Sequence, residues 1–361
     1  CVTTAMVCSI GSSRDAKRTG VVHIAFNTIG TILFLTVMLI MQNFDVFGKE
    51  FWIAGVDSGG IANFQTIFNL LTAIVLVPFV NQLVALSKAI VKDEPEKPAR
   101  HPELTGLSEN LYISPAVALN EAGKAIAFMG GVARDNFKRC IDQLLHYDPA
   151  RSAEIAEEEN ALDQFSDVAD HFLIGLSRSI ETEADDRQLD MLLQCIPSFE
   201  RIGDYATNLE ELGEKLAAEG SNFSEKAKQE LNILTSAVNE ILETTIQALT
   251  EDDNELAKTI EPLEEVIDDM VRLLRDRHTK RLKNGSCSVT SGLLFMDALT
   301  HLERASDHCS SIAVLMLARG DEEILGNHYD YLRHLHEGTD KQYASELRRR
   351  REQYVDQLYR I

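Results

Sequence analysis

The sequence is poor in positive charge. Its 35 Lys and Arg stand against 57 Asp and Glu, for a net of -22. This argues against a nucleic-acid partner, because phosphate backbones select basic surfaces. Cysteine is sparse, with six residues at 1, 8, 140, 195, 287 and 309, and no two form a Cys-x-x-Cys pair. A zinc ribbon, a thioredoxin-type centre and a disulfide scaffold are all disfavoured. Eight prolines and 20 glycines argue against low complexity. No histidine has a Glu three residues before it, so the Glu-x-x-His pattern of carboxylate-bridged oxidases is missing. HExxH, Walker and GxGxxG motifs are absent too. No nucleophile–His–Asp set can be argued from spacing. No catalytic residue is therefore predicted, and the chain does not read as an enzyme.

The most informative absence is local. No Asp, Glu, Lys or Arg occurs over the 26 residues Thr19 to Phe44, or over the 30 residues Ser58 to Ser87. A membrane-crossing helix needs about 20 apolar residues. The runs predict spans near 19–42 and 62–90, the second with a kink at Pro78. Arg14, Lys17 and Arg18 precede the first span, and Lys88, Lys92, Lys97 and Arg100 follow the second. Two spans bring those ends to one side, which the positive-inside rule makes cytoplasmic. Phe51 and Trp52 suit a membrane interface in the loop between. The alternative is a pair of buried helices in a large soluble protein. Cys1 to Cys8 is apolar from the start, without the charged leader of a signal peptide, and reads as the tail of a membrane segment that begins before it.

Residues 1–92 carry six basic and four acidic residues. The remaining 269 therefore hold 29 basic and 53 acidic, a net of -24. Pro95, Pro98 and Pro102 among charges mark 93–110 as a linker. Ser114-Pro115 then opens a helix. Apolar residues at three- and four-residue spacing predict six long helices near 115–147, 150–183, 186–219, 224–251, 255–283 and 288–318, with a tail helix near 340–360. The expected architecture is all-α: a membrane region at 1–92, the linker, a six-helix bundle at 111–320 and a helical tail at 321–361. The run Arg348 to Arg351 in the tail suits either a charged helix surface or contact with anionic lipid.

Four acid pairs at i,i+4 occupy the bundle: Glu159 and Asp163, Glu200 and Asp204, Glu264 and Asp268, Glu303 and Asp307. Each pair shares one helix face. Taken alone, any such pair in so acidic a chain is a solvated face. Their register is the signal. The first and third pairs are 105 residues apart and the second and fourth 103. The bundle thus reads as two three-helix repeats, about 115–219 and 224–318, with the pairs on the second and third helix of each. Like charges at this spacing oppose helix formation by about 0.2–0.5 kcal/mol per pair. Multivalent cations with oxygen ligands would relieve that repulsion. Arg201 and Arg304 offer partial neutralisation without a metal.

Glu200-Arg201-Ile202-Gly203-Asp204 and its counterpart Glu303-Arg304-Ala305-Ser306-Asp307 resemble the acidic motifs of the PhoU family of phosphate-uptake regulators. That resemblance implies two three-helix repeats binding iron, zinc, magnesium or manganese. Upstream, Gly11 to Arg18, His23 to Gly30 and Ile61 to Asn69 resemble the second half of the sodium/phosphate cotransporter family. Many bacterial members of that family carry a C-terminal PhoU-like domain, the order seen here. Together the resemblances imply a multi-pass protein of the cell membrane that symports phosphate with sodium as coupling ion. Its cytoplasmic bundle would regulate transport through metal, a protein partner or self-association. They place Thr3, Thr4 and Ser9 near the substrate path, and Gln65 where the family often has His. His23, Asn27, Gln65 and Asn69 are polar within spans. Such residues usually serve function, although Asn27 and Asn69 could equally bond neighbouring helices. Two other readings stay open: a membrane-tethered phosphate-signalling or metal-binding module without transport, and a carboxylate-bridged metalloenzyme, which the missing histidines disfavour.

Overall fold

Two long uncharged runs and a set of amphipathic segments leave the chain little choice but helix. The computed structural model describes residues 14–53, 55–91, 106–321, 324, 327–337 and 340–361. No strand occurs among them. The chain divides into two compact units, 1–97 and 98–361. The second takes in both the bundle and the tail.

In the first unit α1 (Arg14–Asn43) is followed by a short α2 (Lys49–Ile53), then α3 (Ser58–Leu76) and α4 (Val80–Ile90). Pro78 converts one turn between α3 and α4 to a 3₁₀ helix, Val77–Phe79, and so breaks the predicted second span where expected. Asp57 caps α3 by accepting from the Gly60 N–H at 2.7 Å. Gly30 is the close-approach point of α1 and α3: a Cβ there would lie 2.5 Å from the Thr72 methyl. Phe34 packs edge-on against Phe64 and Phe68. Arg18 donates to the Val91 carbonyl at 3.2 Å, which sets the start of α1 beside the end of α4, as the flanking charges predicted. Lys17–Asn43 and Ser58–Ile90 are long and apolar enough to cross a membrane. Only 6% and 22% of their most apolar windows are buried, unlike the core helices of a soluble protein.

The second unit opens with a 3₁₀ turn at Glu109–Ile113. The first repeat is α5 (Pro115–Leu145), α6 (Pro149–Leu176) and α7 (Glu183–Ala218). The second is α8 (Glu225–Glu251), a single turn α9 (Asn254–Ala257), α10 (Ile260–Lys283) and α11 (Val289–Gly320). Asp148, Thr182, Ser224 and Ser288 cap α6, α7, α8 and α11 through their side chains. One core runs through both repeats, with Phe137, Phe199, Ile202, Leu234, Ile267, Phe295 and Ile312 all but excluded from solvent. The third helices of the two repeats, α7 and α11, pack on each other. Gly213 of α7 meets α5 at the closest point of the first repeat, where a Cβ would sit 2.3 Å from the Gln143 carbonyl oxygen. Gly213→Ala should therefore destabilise the bundle by ~1–3 kcal/mol, measured as a shift in urea midpoint; backbone cannot swing aside as a side chain can.

After α11 come α12 (His328–His336) and α13 (Lys341–Tyr359). Helix α13 lies along α8 and α10. The Arg348–Arg351 run is not a uniform charged surface. Arg350 is buried and ion-paired to Glu240 and Glu346, and Arg351 reaches Asp269 at 2.5 Å. Tyr354 and Gln353 also donate to Glu240. Periodicity alone could not reveal this, because the partners sit about 80–110 residues away along the chain.

Candidate metal centre

The apolar stripes of α10 and α11 decide where their acids point. Leu263, Val266, Ile267, Met270, Val271 and Leu274 are fully buried on α10, as are Leu302, Ala305, Cys309 and Ile312 on α11. With those faces turned inward, Glu264, Asp268, Glu303 and Asp307 come up on the flank between the two helices. Glu264, Asp268 and Asp307 converge, with one carboxylate oxygen from each lying within 4.8 Å of the others. Among the described residues no other set of three metal-ligating side chains meets so closely. Glu303 stands beside them, but its Oε2 accepts from the Arg275 guanidinium at 2.7 Å. Burial first, then Glu261, Asp268 and Asp307, hold the Glu264 carboxyl far above the usual carboxylate range. Asp268 is pushed up to about 6 by burial and by Glu303 and Asp307, against Arg272. Asp307 is raised by burial and Glu303, while Arg304 and a hydrogen bond with Glu264 oppose.

Three acids whose ionisation is opposed by burial and by neighbouring carboxylates make a site short of positive charge. Asp268 Oδ1 is buried and has no hydrogen-bond partner. An orphaned carboxylate oxygen is costly unless something positive meets it. The donors are all oxygen, so the set fits a hard cation such as magnesium or manganese better than a soft one. Glu264, Asp268 and Asp307 would hold it, with Glu303 available should Arg275 release it.

The first repeat carries the same residues but not the same closeness. Glu159 and Asp163 on α6 and Glu200 and Asp204 on α7 feel one another's charge. Burial and then Asp163 and Asp204 raise Glu159, burial and then Glu200 raise Asp163, and burial, Glu200 and Asp163 raise Asp204 against Arg201. Ser166 donates to Glu200 at 3.1 Å. Yet Asp163 and Asp204 are exposed. The two copies differ in what covers them. Helix α13 lies on α10, and the Tyr343 phenol is raised by burial and by Glu261, Glu265 and Glu264.

Glu261, one turn before Glu264, was hidden among the many acids of the sequence. It is buried, accepts from Ser310, and meets His336 Nε2 at 2.8 Å. Of the residues assigned to the substrate path, Thr3, Thr4 and Ser9 lie outside the described residues. His23, Gln65 and Asn69 are exposed and Asn27 is half-buried, its amide donating to the His23 carbonyl at 2.8 Å.

The duplicated geometry has a counterpart in known proteins. Residues 126–212 and 231–316 each match the PhoU domain, one stretch per repeat. Both stretches lie within the helical bundle, which is PhoU-like. Its fold is that of PhoU from Pseudomonas aeruginosa (TM-score 0.53, 20% identity, 58% of this chain and 98% of that one) and of PhoU from Streptococcus pneumoniae (TM-score 0.53, 18% identity, 58% and 99%). A PhoU homolog of Synechocystis, named a phosphate-specific transport system accessory protein, is 25% identical over 54% of this chain and 86% of its own. YjbB of Escherichia coli (strain K12), provisionally named an inorganic phosphate export protein, is 19% identical over 88% of this chain. That match is longer than residues 98–361, so it takes in part of the apolar unit as well as the PhoU-like bundle. The chain spans 58% of the length of YjbB.

Proposed function

We propose that this chain is part of a membrane protein that moves phosphate across the cell membrane, with sodium as the coupling ion, and that the PhoU-like bundle lies in the cytosol and regulates passage by binding a multivalent cation. The observation that carries this reading is the joint match: one relative named for phosphate export aligns through both the apolar unit and the bundle. Two exposed apolar helices and basic residues at their shared end support a membrane location with the bundle inside. The sodium coupling comes from the resemblance of His23 to Gly30 and Ile61 to Asn69. The direction of flux is inward by that resemblance and outward by the relative's name. Labelled phosphate followed into and out of cells expressing the full-length parent, in sodium and in choline buffer, tests all three. Flux that requires the parent and drops at least several-fold in choline is expected. Flux independent of the parent removes the transport reading, and parent-dependent flux that ignores sodium removes the coupling.

A second reading has its own support, since relatives from Synechocystis, Thermotoga maritima and Pseudomonas are named accessory proteins. The chain would then be a tethered phosphate-signalling or metal-binding regulator. Absence of parent-dependent flux, together with metal-dependent capture of a separate transport component, is the result that would favour it.

A further inference from the structure

The acids around the α10–α11 cluster are matched by bases. Glu303 faces Arg275 at 2.7 Å, Glu265 and Asp269 face Arg272 at 3.4 and 2.6 Å, and Asp269 also takes Arg351 at 2.5 Å. Glu261 meets His336 at 2.8 Å. Glu264, Asp268 and Asp307 are different: none of them makes an ion pair among the described residues. Ionised together they carry three negative charges, so a divalent ion leaves one uncompensated and a trivalent ion leaves none.

A second observation comes from α13. Tyr343, in its first turn, is 6% exposed, and its hydroxyl is buried without a hydrogen-bond partner. Asp340 fixes that turn by accepting from the Gln342 and Tyr343 N–H groups at 2.7 and 3.0 Å. The Tyr343 ring lies beside the His336 imidazole, centroids 6.0 Å apart, and that imidazole bonds Glu261, one turn before Glu264. Helix α13 packs along α10, and the carboxylates that the phenol feels most strongly are Glu261, Glu265 and Glu264, all on α10. The hydroxyl is therefore turned toward the acids, yet it donates to none of them. A buried donor left unmade is costly, and so is the orphaned Asp268 Oδ1 in the same neighbourhood. An ion seated between them would meet both oxygens.

We propose that Tyr343 supplies an oxygen ligand to the cation held by Glu264, Asp268 and Asp307, and that this ligand favours a trivalent ion over a divalent one. This role rests on the reading of the three carboxylates as a cation site, and adds to it a group from beyond both matched stretches. Phenolate is a hard oxygen donor. On binding, the Tyr343 hydroxyl gives its proton to solvent and its oxygen takes up the ion. No electron moves, because the ion enters and stays trivalent. Burial and neighbouring carboxylates hold the phenol above its usual range, so a weakly acidic divalent ion draws that proton less readily.

Ferric iron is the probe, because phenolate bound to it absorbs visible light and carboxylates alone do not. The full chain in detergent and phosphate-free buffer is loaded with ferric nitrilotriacetate at neutral pH and freed of excess. Iron per chain and the visible spectrum are then measured. The parent should keep iron and show the band. Tyr343→Phe removes a hydroxyl that bonds nothing, so the variant should fold as the parent does. It should lose the band and give up iron to added chelator about tenfold more readily, since even groups outside the ligand shell contribute that much. Manganese affinity, followed by the spin resonance of the free ion, should change far less. Glu264→Gln with Asp268→Asn should also lose the band. A band of equal strength in Tyr343→Phe, or one that survives in the double variant, would overturn the proposal. A fall in manganese affinity as large as that for iron would overturn the preference for a trivalent ion. Iron kept by the parent and lost by the double variant, with no band in either, would remove Tyr343 as a ligand and leave the carboxylate site standing. A parent that keeps no iron would overturn both.

Discussion

Glu230→Ala should cost the bundle ~3–5 kcal/mol, the largest loss expected from any single substitution outside the core. Glu230 is 0% exposed and is bonded by Arg277 at 3.2 Å and Arg281 at 2.6 Å. Removing the carboxylate leaves two half-buried guanidinium groups together with nothing between them, and a guanidinium does not shed its proton. The damage would spread. Arg277 also donates to the Leu358 carbonyl at 2.7 Å and lies over the Tyr359 ring, so the end of α13 loses its anchor. Urea unfolding followed by helical circular dichroism reads the loss, and trypsin should cut the tail sooner. Glu230→Gln, which keeps the shape and one acceptor, should be destabilised less. A Glu230→Ala chain within about 0.5 kcal/mol of the parent would show that Arg277 and Arg281 find water readily, and that the pair holds nothing together.

Divalent metal should stabilise the bundle, and far more at pH 7.5 than at pH 5. Without metal, Glu264, Asp268 and Asp307 keep protons in the folded state that they lose in the unfolded chain, because burial and mutual repulsion raise all three. A raised acid favours the folded state fully only below its unfolded pKa. That contribution fades as pH climbs from about 4 through the Asp268 value of about 6, and further as the still higher Glu264 ionises. The metal-free bundle should thus weaken from pH 5 to pH 8. A cation reverses the trend, since deprotonated carboxylates are what it binds. At a hundredfold excess over its dissociation constant it adds ~2.7 kcal/mol. Thermal melts with manganese or with chelator, at both pH values, check this. The double variant Glu264→Gln, Asp268→Asn should melt higher than the parent in chelator at pH 7.5 and lose the metal response. Identical metal responses in parent and variant would return these acids to the status of a solvated surface.

Much of this architecture can be read without coordinates, for physical reasons that also mark where reading stops. A bilayer-length run free of charge, or an apolar stripe at 3.6-residue spacing, is a local property. The spans at 14–43 and 58–90 and the six long helices follow from such runs to within a few residues at most ends. The 105- and 103-residue offsets between acid pairs are likewise visible in one dimension, and the two matched stretches reproduce them. Convergence is not local. Whether three carboxylates meet depends on which flank of α10 faces α11 and on what covers it, so Glu264, Asp268 and Asp307 gather while Glu159, Asp163, Glu200 and Asp204 stay looser. Glu230, Glu261 and Arg350 look like ordinary surface charges in the sequence, yet each is buried against a partner dozens of residues away.

Helix α13 rests chiefly on α8 and α10, both in the second repeat, so a chain made by doubling carries an unshared buttress. Two halves that started alike are thereby set on different terms. Acids in the shielded half lose water and hold protons more tightly, and any ion entering there would have to wait for a strut tied down by Glu240 and Arg277 to shift. Acids in the bare half would trade ions with the solvent freely. One molecule would then keep a slow register and a fast one side by side, read from the same motif.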